Sequence, residues 1–124
     1  GDSAPESIAV LVRDRYQRDA VVNGLAQHGI EVRAVDREAA GRGRPVVMTM
    51  HRAKGLEFRK VLLFDVSKNA IPRPLRDQQY SDADGDDALL RERSLLYVAA
   101  TRARDQLAIS WSGEASPLIT ALAP

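Results

Sequence analysis

The run Thr49-Met50-His51-Arg52-Ala53-Lys54-Gly55-Leu56-Glu57-Phe58 places a hydroxyl, an imidazole, two cations, a glycine and a carboxylate within ten residues. Lys54 and His51 can meet phosphate oxygens, Gly55 lets a ligand approach the backbone, and Glu57 can accept from a sugar hydroxyl. If this segment leaves a parallel strand, it should lie at the carboxyl edge of the sheet, where α/β domains bind ligands. A turn or helix starting there would add backbone N–H groups suited to phosphate. A basic turn with no ligand would carry the same residue types, so chemistry alone leaves both readings open. A second segment, Tyr97-Val98-Ala99-Ala100-Thr101-Arg102-Ala103-Arg104, ends a helical pattern just before an apolar run. Arg102 lies one turn beyond Val98 and Ala99 and can project into the same crevice. Arg104 has the simpler reading of a cation favoured by a helix C-terminus.

Two other patterns carry less. The acidic run Asp82-Ala83-Asp84-Gly85-Asp86-Asp87 fails as a calcium loop, because counting from Asp82 puts glycine at position four and Arg93 at position twelve. It reads as a solvated loop or a helix start. Val61–Asp65 resembles a strand whose terminal Asp holds magnesium, but that role needs a GxxxxGK[ST] loop and the chain contains none. Asp65 is therefore expected to be structural. With no cysteine and only His28 and His51 as histidines, disulfides, thiolate sites and multi-histidine cages are excluded, and no metal site is expected.

These residues must be held by one domain spanning 1–124, since 124 residues leave no room for two. The chain is 44% hydrophobic and 28% charged, a globular composition, and at 5% aromatic its core must be aliphatic. Five apolar runs, Ile8–Val12, Val32–Val35, Val46–Met50, Val61–Val66 and Leu107–Trp111, show little alternation and read as strands covered on both faces. Asp14 and Gln17 stand at capping-box spacing before a helix with Val21, Val22, Leu25 and Ala26 on one face, and Gly29 closes it. A second helix is expected over 86–103, with Leu89, Leu90, Leu96, Tyr97 and Ala100 on its apolar side, and a short third over 116–122. Strands alternating with helices imply a three-layer, doubly wound α/β fold with a mainly parallel five-stranded sheet. Arg37–Arg44 and Lys68–Gly85 read as loops, the latter long and mobile, and residues 1–6 as a flexible or non-native leader. The formal net charge of +1 hides a segregation: residues 42–60 hold six cations against Glu57, and 77–93 hold six carboxylates against two arginines. Such a basic stretch can attract a polyanion. No run is long enough to span a bilayer, which predicts a soluble, cytoplasmic protein with no membrane partner.

Taken together, TMHRAKGLEF and, some 40 residues later, ERSLLYVAATRAR resemble motifs V and VI of the UvrD/Rep/PcrA group of superfamily 1 DNA helicases. Residues 46–111 carry the close likeness and 7–35 a looser one, together about three quarters of the chain. The resemblance implies a RecA-like second motor domain without its own P-loop, in a parent that hydrolyses ATP and moves 3′ to 5′ on DNA. It implies that Arg102 is an arginine finger, that Lys54, Gly55 and Glu57 face ATP, and that Thr49, His51 and Arg52 belong to the single-stranded DNA contact. Mg2+ would be held mainly by the N-terminal RecA-like domain of the parent, and the segment alone should be inactive. Relatives often carry two arginines before the motif VI leucine, whereas Arg93 is followed here by Ser94. Many also insert a subdomain where Asp36–Pro45 is too short to hold one, which puts duplex unwinding in question. The alternative is a RecA-like protein-binding module of a remodelling factor, with a repair or transcription protein as partner.

Overall fold

The computed structural model describes residues 7–35, 44–71 and 82–122, apart from the side chains of 82–84 and 120–122. Its strands are β1 (Ile8–Val12), β2 (Arg33–Ala34), β3 (Val46–Thr49), β4 (Phe58–Leu63) and β5 (Ala103–Ile109). They form one sheet in the order β2-β3-β1-β4-β5, and every pairing is parallel. Helix α1 (Arg15–Gln27) follows β1, α2 (Asp82–Ala100) precedes β5, and a 3-10 helix spans Pro117–Leu122. The α/β class and parallel five-stranded sheet are as expected. The runs at 1–6, 36–43 and 72–81 lie outside the described residues, so most of the two loop expectations is not addressed.

Register decides which side chains share a face. Ala9 lies between Val46 and Val61, and Leu11 between Met48 and Leu63, so these six alternate residues point one way. They are buried with Leu95, Leu96 and Ala99 of α2, and with Met50, Ala53, Phe58, Val66, Ile71 and Leu118. Right-handed connection puts α1, which leads leftwards from β1, on the opposite face from α2, which leads rightwards from β4. Asp14 caps α1 by accepting the Gln17 N–H at 2.8 Å. Gln17 reaches back to the Arg13 N–H, one residue before the usual capping-box target. Gly29, at φ 77°, ends the helix as expected.

The structure corrects several details. β2 is only two exposed residues, β4 begins at Phe58 and β5 at Ala103. β5 is an edge strand, so most of it remains exposed instead of covered on both faces. No α1 residue is fully buried. Helix α2 begins four residues early, absorbing the acidic run into its first turns. It is also rotated relative to the expectation, with Leu89, Leu90 and Tyr97 exposed while Leu95 and Ala99 enter the core. The short last helix is present as expected and is of the 3-10 kind.

Candidate functional site

Of the turn or helix expected after β3, the turn forms. Only residues 50–57 separate β3 from β4, and in that span the chain must return to the opposite edge of the sheet. Thr49 is level with Val12 and Lys60 with Ile8, so Phe58 lies roughly 20 Å back along the strand direction. Met50 donates to the Val12 carbonyl, and the chain then coils through turns held by Ala53 N–H to Thr49 O (3.2 Å) and Leu56 N–H to Ala53 O (3.0 Å). Met50 and Ala53 are buried, fastening this crossing onto the face that α2 covers. Gly55 at φ 78° lets the coil unwind into β4. The segment therefore does not sit wholly at the carboxyl edge. It joins both edges.

At the carboxyl edge stand Thr49, His51 and Arg52. Thr49 Oγ1 accepts the Arg52 N–H at 3.1 Å, which fixes the first turn. His51 is exposed, yet partial desolvation and then the Arg13 guanidinium hold its imidazole below its ordinary pKa, with Glu92 opposing and Lys54 adding to the effect. At the amino edge lie Glu57, Arg102 and Arg104. The Arg102 carbonyl accepts the Phe58 N–H at 2.8 Å, and its guanidinium donates to Val98 O (3.1 Å), Leu56 O (3.2 Å) and Thr101 Oγ1 (3.1 Å). Arg102 thus follows the end of α2 and rests on the 49–58 segment rather than entering a carboxyl-edge crevice. Arg104 belongs to β5, not to a helix end, and faces Glu57 at 3.6 Å. Arg59 beside Asp105 holds that carboxyl below the usual carboxylate range. Lys54 and Gly55 are exposed between the two edges, and no atom lies within 4 Å of where a Gly55 Cβ would be. The backbone there faces open space, so the glycine answers to φ and not to a close contact within the chain.

Sequence reasoning missed one pair. Arg13, just past β1, binds Glu92 of α2 through Nη2 to Oε1 at 2.6 Å and Nε to Oε2 at 3.1 Å, and Glu92 is only 9% exposed. The signal was present: Glu92 precedes Leu95, Leu96 and Ala99 by three, four and seven residues, a carboxylate on the apolar stripe that needs a cation. Asp65 is held structurally, as expected. Gln17 Nε2 donates to Oδ2 at 3.1 Å, Ser67 Oγ donates to Oδ1, and the Asp65 N–H donates to Ser110 Oγ at 3.1 Å. Among the described residues no group of three or more His, Asp or Glu could hold a metal, and no helix is long and apolar enough to cross a membrane.

The structure is therefore a parallel α/β sheet with a basic crossing between its two edges. The UvrD-like helicase C-terminal domain profile matches residues 43–114, more than half of the chain and the whole of the segment just described, and the chain belongs to that family. It is 36% identical over 86 residues to ATP-dependent DNA helicase UvrD2 of Mycobacterium tuberculosis, covering 65% of this chain and 12% of that protein. It is 40% identical over 68 residues to DNA helicase II of Rickettsia typhi, covering 55% and 10%. The chain thus spans about a tenth of the length of these curated relatives. In fold it is similar to the C-terminal domain of a possible DNA helicase from Lactobacillus plantarum, with TM-score 0.70, 24% identity, and coverage of 94% of this chain and 63% of that one.

Proposed function

We propose that this chain is the second motor domain of an ATP-dependent 3′–5′ DNA helicase or translocase, contributing half of an ATP site and part of a single-strand path. The observation that carries this reading is the contact of Arg102 with the Leu56 carbonyl, because it places the finger candidate against the same short crossing whose other end carries Thr49 and His51. One crossing then touches both ligands, so a shift of the nucleotide end can be passed to the DNA end.

The residues present suit the phosphate side of ATP rather than its metal. Arg102 offers a planar cationic fork, Lys54 a point charge, and Gly55 a backbone open to approach. Glu57 can accept from the ribose once it leaves Arg104, a surface pair worth at most about 1 kcal/mol. Mg2+, held mainly by the N-terminal RecA-like domain of the parent, would neutralise phosphate charge. In this chain Arg102 would meet charge developing on the γ-phosphoryl group, while Thr49, His51 and Arg52 would contact the single strand. The family relationship supports an enzyme parent and a DNA ligand. A protein-binding module is the second reading, favoured by the short 36–45 connection, and a repair or transcription protein would then be the partner.

The test is Arg102→Ala in the parent enzyme. ATP turnover should fall about 1,000-fold or more with nucleotide affinity largely kept, since fingers act on the transition state. Near wild-type turnover would remove Arg102 from the catalytic machinery. His51→Ala should instead lower DNA affinity and DNA-stimulated turnover.

A further inference from the structure

We propose that the cleft between the start of α1 and the end of β4 receives an unpaired nucleobase, with the Tyr16 ring as its stacking face. This rests on the DNA reading above and extends it to a part of the surface outside motifs V and VI. Tyr16 is 87% exposed, the most exposed large apolar side chain among those described, although it sits on the first turn of a capped helix. It lines a cleft of about 400 Å³ together with the half-buried Phe64 ring, Gln17, Asp14 and Asp65. That volume lies within the range of small-ligand clefts.

The walls of the cleft are fixed to each other. Asp14 caps the helix, and Gln17 binds the Arg13 N–H with one side-chain atom and Asp65 with another, so α1 cannot shift freely against β4. Its place in the sheet gives continuity with the proposed strand contact. β1 lies between β3 and β4, so the Arg13–Gln17 segment at its end stands between Thr49–His51 and Phe64–Asp65 on one edge. The chemistry selects the base rather than its phosphate. Arg13 also lines the cleft, but its guanidinium is taken up by Glu92, while Asp14 and Asp65 present carboxylate oxygens that repel phosphate and accept from exocyclic amino groups, and an aromatic face stacks with any base. An aromatic side chain from a protein partner is the competing occupant.

The experiment uses this 124-residue chain and a fluorescein-labelled single-stranded oligodeoxynucleotide, read by anisotropy at low salt. Tyr16→Ala should bind about ten-fold more weakly, the size expected for losing one stacked base, while Tyr16→Phe keeps wild-type affinity. The salt dependence should be unchanged, because no phosphate contact is lost. On an abasic strand of equal length, Tyr16→Ala and wild type should bind alike. Identical far-UV circular dichroism shows that the exposed substitution leaves the fold intact. If wild type binds the normal strand and Tyr16→Ala binds it equally, or if the loss persists on the abasic strand, the base cleft is overturned while the DNA reading stands. If wild type binds no strand at all, the DNA reading falls and the cleft with it.

Discussion

His51 shows how the surroundings of a residue set its use. Its imidazole pKa is held below 6.5, first by desolvation and next by the Arg13 guanidinium. The folded chain therefore takes up this proton less readily than the unfolded chain does. Stability rises with pH wherever the unfolded state binds more protons, so His51 costs nothing above about pH 7 and becomes destabilising as pH falls through 6.5 toward its lowered value. Two consequences can be measured. Thermal midpoints between pH 8 and 5 should fall less steeply for His51→Ala than for wild type. On the proposed DNA reading, single-strand affinity should gain on acidification through that window, since only the imidazolium carries charge, and His51→Ala should lose that gain. Parallel pH profiles for the two proteins would remove His51 from both effects. Sequence showed that His51 stood beside cations. It did not show Arg13 as one of them, because 37 residues and two strands intervene and only the β1–β3 pairing brings them together.

At the scale of elements, the Arg13–Glu92 pair ties the end of β1 to the middle of α2, whose C-terminal end leads into Arg102. Breaking such a buried pair from one side leaves a charge without its partner. Glu92→Gln or Arg13→Met alone should cost about 3 kcal/mol in urea unfolding. Replacing both with apolar residues, Arg13→Met with Glu92→Leu, should recover most of that loss, since buried pairs are often no better than apolar packing. Additive losses in the double variant would show that the two residues act separately. The element pattern was legible where local signals were strong: the Asp14 cap, the Gly29 stop and the Val-rich central strands all stand as read. It failed at α2, where Leu89, Leu90 and Tyr97 looked more apolar than the Glu92 stripe that actually packs, because an ion pair made that stripe buryable. After β3 the pattern left a turn or a helix open, and the chain takes the turn. Residues 50–57 are too few to form a helix and still reach the far edge, so the chain takes hydrogen-bonded turns and lies on the sheet instead. The motif residues were thus identified from sequence, while their division between two edges was not.

For the whole molecule, the decisive property is charge segregation within a chain of net charge +1. Residues 42–60 concentrate cations, and the crossing places part of that stretch on exposed turns, with Lys54 at the surface and His51 beside it. The acidic residues 82–87 fall instead in the first turns of α2, where carboxylates favour the positive end of the helix. A single-strand backbone and a protein partner would use this surface differently. Each phosphate neutralised releases condensed counterions, giving a slope of log affinity against log salt of about −0.7 per contact on single strands. Three or four contacts from the 42–60 region would give a slope of about −2 to −3 for the chain binding an oligodeoxynucleotide, and Arg52→Ala should make it shallower by roughly one contact. A docked protein partner would depend mainly on apolar burial and respond weakly to salt. The same preparation should show no ATP turnover, because no phosphate-cradling loop occurs in the sequence and a finger without a bound nucleotide has no reaction to assist. A steep salt slope with no turnover is the signature of half a motor. A flat slope would move the 42–60 surface from nucleic acid to a protein partner, and turnover by the chain alone would require a phosphate-cradling loop of a kind other than the GxxxxGK[ST] pattern that this sequence lacks.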